Sequence, residues 1–514
     1  MPPGRRKSIS YYLKRLKSEG ISTKLRLNIF SAAAKNNHQV LRQQLETIHF
    51  ADILDLKNET PLNVVSKKTE SAQSRETAKI LLSYGADILW PDYHGSTSAA
   101  YFFIRKDPDF IDLVLRMLPN VNVPLDSEEN TALHLAVEAN VESTVLKLLE
   151  RGADPNRKNK RGLTPVHKSV TKSGFQFLIH LYSLGGDINL PAPDSQTPLH
   201  MASRMGNKDC LEAVLYCNPE LNAKDRNGLT PLLILTIRHN HLVPQIYELL
   251  RKGADPSVRT PNEDNCLHSL IRYVNLENHY LRLSFLIRLL LQYGVDIDAA
   301  GYQKDTVLHI STYRNKPLAA FTLLRYGADL KKKNHRDFPL DIAFITNNDH
   351  IAKIFVKFIA IRGGDIQEYI SRQHHVLKLS AARICLTMHQ AELEHLKTVL
   401  VYCSNLSYYS IITMSLTTLT DHMGTSLALR ELSARNLDPS VKLYRNLLIW
   451  NLQDGKRCWI ARKEVVSFMQ QIFTLMPGKV SVPKKVTAHI VSFLGFHEVL
   501  KMKRYLRDEL ENEY

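Results

Sequence analysis

Histidines are the residues of this chain best suited to chemistry. His134, His167, His200 and His309 each stand three places after a Thr, and His268 stands three places after Asn265. Imidazole nitrogens bind metals and move protons near neutral pH. The spacing argues for another use. His134, His167 and His200 are 33 residues apart (167 − 134, 200 − 167), so each holds one position of a repeating unit. There the ring is expected to bridge backbone or hydroxyl groups between neighbouring turns. His389 and His395 lie six apart (395 − 389), which puts them on different faces of a helix, and His374–His375 is an isolated pair. Cys210, Cys217, Cys266, Cys385, Cys403 and Cys458 form no C-x-x-C and no zinc spacing with histidine. They read as thiols of a reducing compartment. No nucleophile elbow, P-loop or H-E-x-x-H is present. The expectation is a non-enzyme with no catalytic residue, metal site or cofactor.

The elements that position these histidines recur with them. Thr131, Thr164, Thr197 and Thr230 are also 33 apart (164 − 131, 197 − 164, 230 − 197), the mark of a stacked repeat. Thr is a good helix N-cap, because its hydroxyl accepts a free backbone N–H. Pro165, Pro198 and Pro231 follow it, where the first helical turn needs no N–H. Leu133, Leu199 and Leu232 then begin an apolar face. The second half of the unit is an apolar helix that stops at Gly, as in Leu148-Leu149-Glu150-Arg151-Gly152-Ala153-Asp154-Pro155-Asn156. Gly takes the positive φ of a helix C-cap, and Asp, Pro and Asn make the turn.

These segments resemble the T-P-L-H and G-A-D-x-N motifs of the ankyrin repeat. The resemblance implies an all-α solenoid of helical hairpins. A degenerate capping copy begins at Leu27, with Ile29 to Ala34 and Val40 to Leu45. Thr60-Pro61-Leu62 and His94-Gly95-Ser96-Thr97 open the next two. After Thr230 the period loosens: Asn265 comes 35 residues later (265 − 230) and Thr306 another 41 (306 − 265). The excess places an insertion within 273–283. Phe338-Pro339-Leu340-Asp341 opens a last copy ending near Ile361. Nine to ten repeats are expected over 27–361.

The flanks read differently. The chain has 514 residues, long for one compact core, and carries a net charge of +16. Residues 1–26 hold +7 of it, as a basic segment suited to nuclear entry, an acidic contact or simple solvation. Residues 362–514 hold +6, leaving the repeats at +3, so the charge balance does not argue for nucleic acid. No apolar run of ~18 residues is present, so no membrane span is expected. No apolar stretch follows the basic start in the manner of a secretory signal. Residues 362–474 lose the repeat signature but keep helical periodicity, with separate helices expected at 376–388 and 393–401. They form a helical connector or eroded repeats.

Near the end, Pro483, Val486, Ile490 and Leu494 mark a short helix with one apolar stripe, stopped by Gly495. Val499 and Leu500 begin a second. This order over 475–514 resembles the truncated F-box-like segment (PRANC) of poxvirus ankyrin proteins, with Lys484 and Lys485 where an acidic residue is usual. The resemblance implies that Pro483, Val486, Ile490, Leu494, Val499 and Leu500 bind the Skp adaptor of cullin-RING ubiquitin ligases. It further implies a viral adaptor in the host cytoplasm, with the nucleus also open to it, acting on host antiviral or inflammatory signalling. The alternative is an ankyrin protein that sequesters a host factor without a ligase.

The tips between repeats occupy equivalent places, so their charges should line up. Arg157, Lys158, Lys160 and Arg161 load one tip, Lys224 and Arg226 a second, and Lys331, Lys332, Lys333 and Arg336 a third. The 190–194 tip is not basic. These ten residues are the expected target contacts, forming a docking edge for an acidic protein surface. Asn156, Asn189 and Asn222 sit at the turn position that host asparaginyl hydroxylase modifies in ankyrin-type proteins, with Leu148 and Leu181 upstream of the first two.

Overall fold

The structure, a computed structural model, describes residues 22–49, 51–55, 57–68, 71–104, 108–171, 175–273, 280–371 and 376–398, with Ser407 and Ser410. Everything read from 1–21, from most of 399–474 and from 475–514 lies outside the described residues. Pro483, Val486, Ile490, Leu494, Val499 and Leu500 are among them. The chain divides into two compact units, Met1–Pro261 and Asn262–Tyr514.

Among the described residues the first unit consists of seven helical hairpins. Their inner and outer helices are Thr23–Ala34 with His38–Ile48, Pro61–Lys67 with Ala72–Ser83, and Ser98–Ile104 with Pro108–Met117. Ala132–Ala139 with Glu142–Glu150 and Pro165–Thr171 with Leu178–Ser183 follow. Pro198–Met205 with Lys208–Tyr216 and Pro231–Arg238 with Val243–Arg251 complete the unit. The first helix begins at Thr23, ahead of Leu27, because the Ser22 hydroxyl caps it by accepting from Leu25 N–H at 3.2 Å. An isolated bridge pairs Pro91 with Thr97.

Helices of seven or eight residues are too short to persist alone in water. Here each inner helix packs against the next inner helix. Leu62, Leu133, Leu199 and Leu232 are fully buried in that seam, and Leu81, Leu148, Leu181 and Leu249 on the outer helices match them. Each such leucine contributes roughly 1.5–3 kcal/mol. Stability therefore resides between repeats rather than within one.

The second unit continues the pattern by itself. Its hairpins are Cys266–Tyr273 with Tyr280–Gln292, Val307–Tyr313 with Pro317–Arg325, and Pro339–Ile345 with Asp349–Ile361. The outer helix Tyr280–Gln292 has 13 residues, so part of the extra length between Asn265 and Thr306 is helix. The two helices expected at 376–388 and 393–401 are a single one, Val376–Thr398, packed on Asp349–Ile361. His389-Gln390-Ala391-Glu392 holds no Gly or Pro to break it. Between these helices burial brings Lys357 down to about 8 against the pull of Glu392, and His389 to about 4.

Candidate protein-binding surface

Four of the five repeat histidines, His134, His200, His268 and His309, are clamps between adjacent hairpins. At the N-cap of Ala132–Ala139, Thr131 N–H donates to His134 Nδ1 at 3.2 Å, and the Thr131 hydroxyl lies 2.9 Å from the same nitrogen. Nδ1 is thereby the acceptor, so Nε2 carries the proton and donates to Leu163 O at 3.0 Å, in the next repeat. His200 reaches Leu229 O and His309 reaches Asp337 O in the same way. His268 pairs with Asn265 Oδ1 at 2.7 Å and reaches Ala299 O at 3.1 Å. Burial drives His134, His167 and His309 down to about 4 and lowers His200, while the neighbouring backbone bonds act in the opposite direction. His134, His200 and His309 are thereby neutral at physiological pH with both ring nitrogens bonded, whereas His167 accepts from Thr164 N–H and its Nε2 finds no hydrogen-bond partner among the described residues. Among the described residues no group of three or more His, Cys, Asp or Glu could hold a metal ion. Cys210 is buried, and burial raises its thiol to about 12.

Where His is missing, another side chain does its work. Asn63 follows Thr60 and donates to Trp90 O at 3.1 Å. Asp341 in the last hairpin accepts from Phe338 N–H at 3.0 Å and from Ser371 N–H at 2.9 Å.

The turn asparagines are a second set of clamps. Asn156 Nδ2 donates to Gly185 O at 2.8 Å, and its Oδ1 accepts from Asp187 N–H at 2.7 Å. Asn189 accepts from Glu220 N–H and Asn222 from Asp255 N–H, both at 2.8 Å. Asn122 does the same, donating to Gly152 O and accepting from Asp154 N–H. No sequence motif marks it, because its segment, Pro119-Asn120-Val121-Asn122, lacks the Gly-Ala-Asp that flags the others. Asn189 and Asn222 are exposed and Asn156 is half-buried.

The tips are built by a carboxylate or amide that gathers its own loop. Asp126 Oδ1 accepts from Glu128 N–H and Asn130 N–H; Asn159 Oδ1 accepts from Arg161 N–H and Leu163 N–H. Neighbouring tips touch. Lys160 N–H donates to Glu128 O at 2.8 Å, and Arg226 N–H to Asp194 O at 2.9 Å. A Cβ on Gly162, at φ +70°, would lie 2.6 Å from Pro193 Cγ, so only glycine allows that approach.

The ten basic residues are exposed, but they do not form one free stripe. Lys158 Nζ donates to Pro191 O and Lys224 Nζ to Arg259 O. Arg226 stands 3.8 Å from Asp194. In the second unit, Lys331 meets Glu368 at 2.5 Å and lies over the Tyr369 ring, and Lys333 lies over Phe338. The Arg157–Arg161 tip and the Lys331–Arg336 tip belong to different units, and the first unit holds two of the three basic tips with the 190–194 tip between them.

Sequence reasoning also missed the inner-helix side chains that pair across repeats. Lys67 binds Glu59 at 2.6 Å and Asp92 at 2.7 Å, and the Tyr101 hydroxyl donates to Asp92 at 2.9 Å. Burial pushes Asp92 upward, but Lys67, Ser96 N–H and Tyr101 outweigh it and hold the carboxyl below its usual range. Lys168 binds Glu138 at 2.8 Å and Arg204 binds Asp225 at 2.7 Å. Lys67, Glu138 and Arg204 each lie seven residues past their N-cap threonine (67 − 60, 138 − 131, 204 − 197), a signal visible once the 33-residue phase is known.

A family model described as ankyrin repeats (3 copies) matches residues 30–159 and 166–260. The chain is similar to SH3 and multiple ankyrin repeat domains protein 2 of Homo sapiens, 29% identical over 41% of this chain and 11% of that protein. It is similar to E3 ubiquitin-protein ligase KEG of Arabidopsis thaliana, 25% identical over 56% of this chain and 18% of that protein. The chain thus spans less than a fifth of the length of either relative. The solved ankyrin repeat domain of Bcl-3 is 25% identical with a TM-score of 0.39, covering 45% of this chain and 99% of that one. Residues 30–159 and 166–260 are thus ankyrin repeats.

Proposed function

We propose that the chain is a viral substrate adaptor. Its ankyrin repeats hold a host target protein, and residues 475–514 recruit a Skp–cullin ubiquitin ligase. The observation that supports it is the fate of the repeat's chemistry-bearing residues. Histidines and turn asparagines are consumed in joining hairpins, while the tips turn exposed, charged side chains outward. Such a surface grips a protein and transforms nothing. Placing target and ligase on one chain raises their mutual concentration without any reaction here. One relative carries the name of a ubiquitin ligase, although the similarity lies in a small share of it. The described helices include none long and apolar enough to cross a membrane. The host cytoplasm, with the nucleus open through the basic 1–26 segment, is the compartment this reading requires.

The target contacts of this reading are Arg157, Lys158, Lys160, Arg161, Lys224, Arg226, Lys331, Lys332, Lys333 and Arg336. The adaptor contacts are Pro483, Val486, Ile490, Leu494, Val499 and Leu500. Modification of Asn156, Asn189 or Asn222 by host asparaginyl hydroxylase is an accompanying proposal. The second reading is sequestration without a ligase. Val486→Asp with Ile490→Asp, assayed for binding to purified Skp, separates the two: lost binding supports the adaptor. Binding equal to that of the unaltered chain, or none by either chain, leaves sequestration.

A further inference from the structure

We infer that the tip edge of the first unit recognises a partner segment whose charge alternates in sign from one repeat to the next, rather than a uniformly acidic surface. This rests on the target-binding reading and specifies its ligand.

Four successive tips carry the argument. The tip at 126–130 exposes Glu128 and Glu129. The next exposes Arg157, Lys158, Lys160 and Arg161. The third exposes Asp194 directly after Pro191-Ala192-Pro193, and the fourth Lys224 and Arg226, with Asp225 buried behind them on Arg204. The order of exposed charge is acidic, basic, acidic, basic.

That order is spatial as well as sequential, because each tip touches the next. Lys160 N–H donates to Glu128 O, Gly162 lies against Pro193, and Arg226 N–H donates to Asp194 O. The tips are therefore fixed in one row, and their charges cannot pool into one positive field. Lys158 reaches Pro191 O, and Arg226 stands 3.8 Å from Asp194 with both side chains exposed, so each tip still turns its own sign to solvent. A uniformly acidic ligand meets two favourable tips and two repulsive ones. A ligand that alternates in step meets four favourable ones, and like-charge juxtaposition is what excludes the others.

The period of the ligand follows from the packing. Stacked helices stand ~10 Å apart, and an extended chain advances ~3.3 Å per residue. The sign should therefore change about every third residue. The probe is a synthetic peptide of three Lys, three Glu, three Lys and three Glu, amidated and acetylated at its ends. Two controls accompany it: a peptide of the same composition with Lys and Glu alternating singly, and a twelve-residue Glu peptide.

Binding to the full chain is measured by fluorescence anisotropy at low salt. The block peptide is expected to bind at least tenfold tighter than the singly alternating one and tighter than the Glu peptide. The variant Glu128→Lys with Glu129→Lys should weaken the block peptide and strengthen the Glu peptide. Arg157→Glu with Arg161→Glu should weaken both. The side chains of Glu128, Glu129, Arg157 and Arg161 are all exposed, so the fold is retained, checked by circular dichroism. Tightest binding by the Glu peptide, or a block peptide no tighter than its singly alternating control, overturns the inference. Neither outcome touches Skp binding, which is read separately from residues 475–514.

Discussion

The Nε2–H of His134 donates to the carbonyl of Leu163 at 3.0 Å, across 29 residues of sequence and one hairpin boundary. Its Nδ1 meanwhile accepts the Thr131 N–H that would otherwise be an orphan at the helix start. One neutral ring thus caps its own helix and fastens the next repeat, which is why a catalytic reading of these histidines fails.

His134→Leu should cost about 2–3 kcal/mol, since a buried N–H and a buried carbonyl lose their partner together. His134→Asn should cost less, because Asn63 already fills this role by donating to Trp90 O. Urea unfolding of the three proteins, with hydrogen exchange of Leu163 to Lys168 as a local readout, checks the order.

Acid should loosen the array well before its carboxylates protonate. His134, His167 and His309 take a proton near 4 when folded, against about 6.5 when unfolded. Between those values the unfolded chain binds more protons, so stability falls as pH falls. Each ring removes about 1.4 kcal/mol by about pH 5.5. Thermal melts from about pH 7.5 to about pH 5.5 should show a steep fall, and His134→Asn should flatten it.

Gly162→Ala should be more damaging than Gly152→Ala. Both positions have positive φ, +70° and +79°, and each alanine pays about 1–2 kcal/mol for that alone. At Gly152 nothing lies within 4 Å of the added methyl, whereas at Gly162 it meets Pro193. Denaturation midpoints of the two variants give the difference directly.

Asn156→Ala should cost about 1–2 kcal/mol through the loss of both amide bonds to the next repeat. Hydroxylation at Cβ leaves that amide in place, so a modified chain should keep its melting temperature. Mass spectrometry of protein from infected cells should find one added oxygen on Asn156, Asn189 or Asn222; unmodified residues at all three would remove that proposal.

Much of the fold could be read from residues 131 to 230 alone, because Thr, Pro and Gly mark helix ends by backbone chemistry that tertiary context rarely overrides. The histidine role was legible for the same reason. Three things were not. A single helix runs through His389–Glu392, where apolar periodicity lapses without any breaker. Asn122 clamps its neighbour without the turn motif that signals the role. The partners of the basic tips were hidden as well: Asp194 and Glu368 engage Arg226 and Lys331. Such pairing depends on which tips are neighbours and which side chains reach them, and neither is written in any one repeat.

The adaptor account is tested most directly by proximity labelling in cells with the full chain and with a chain lacking residues 475–514. The account predicts that both label the same target, that the full chain alone labels Skp and cullin, and that target abundance falls with the full chain only. Equal labelling of Skp and cullin by the two chains would contradict it.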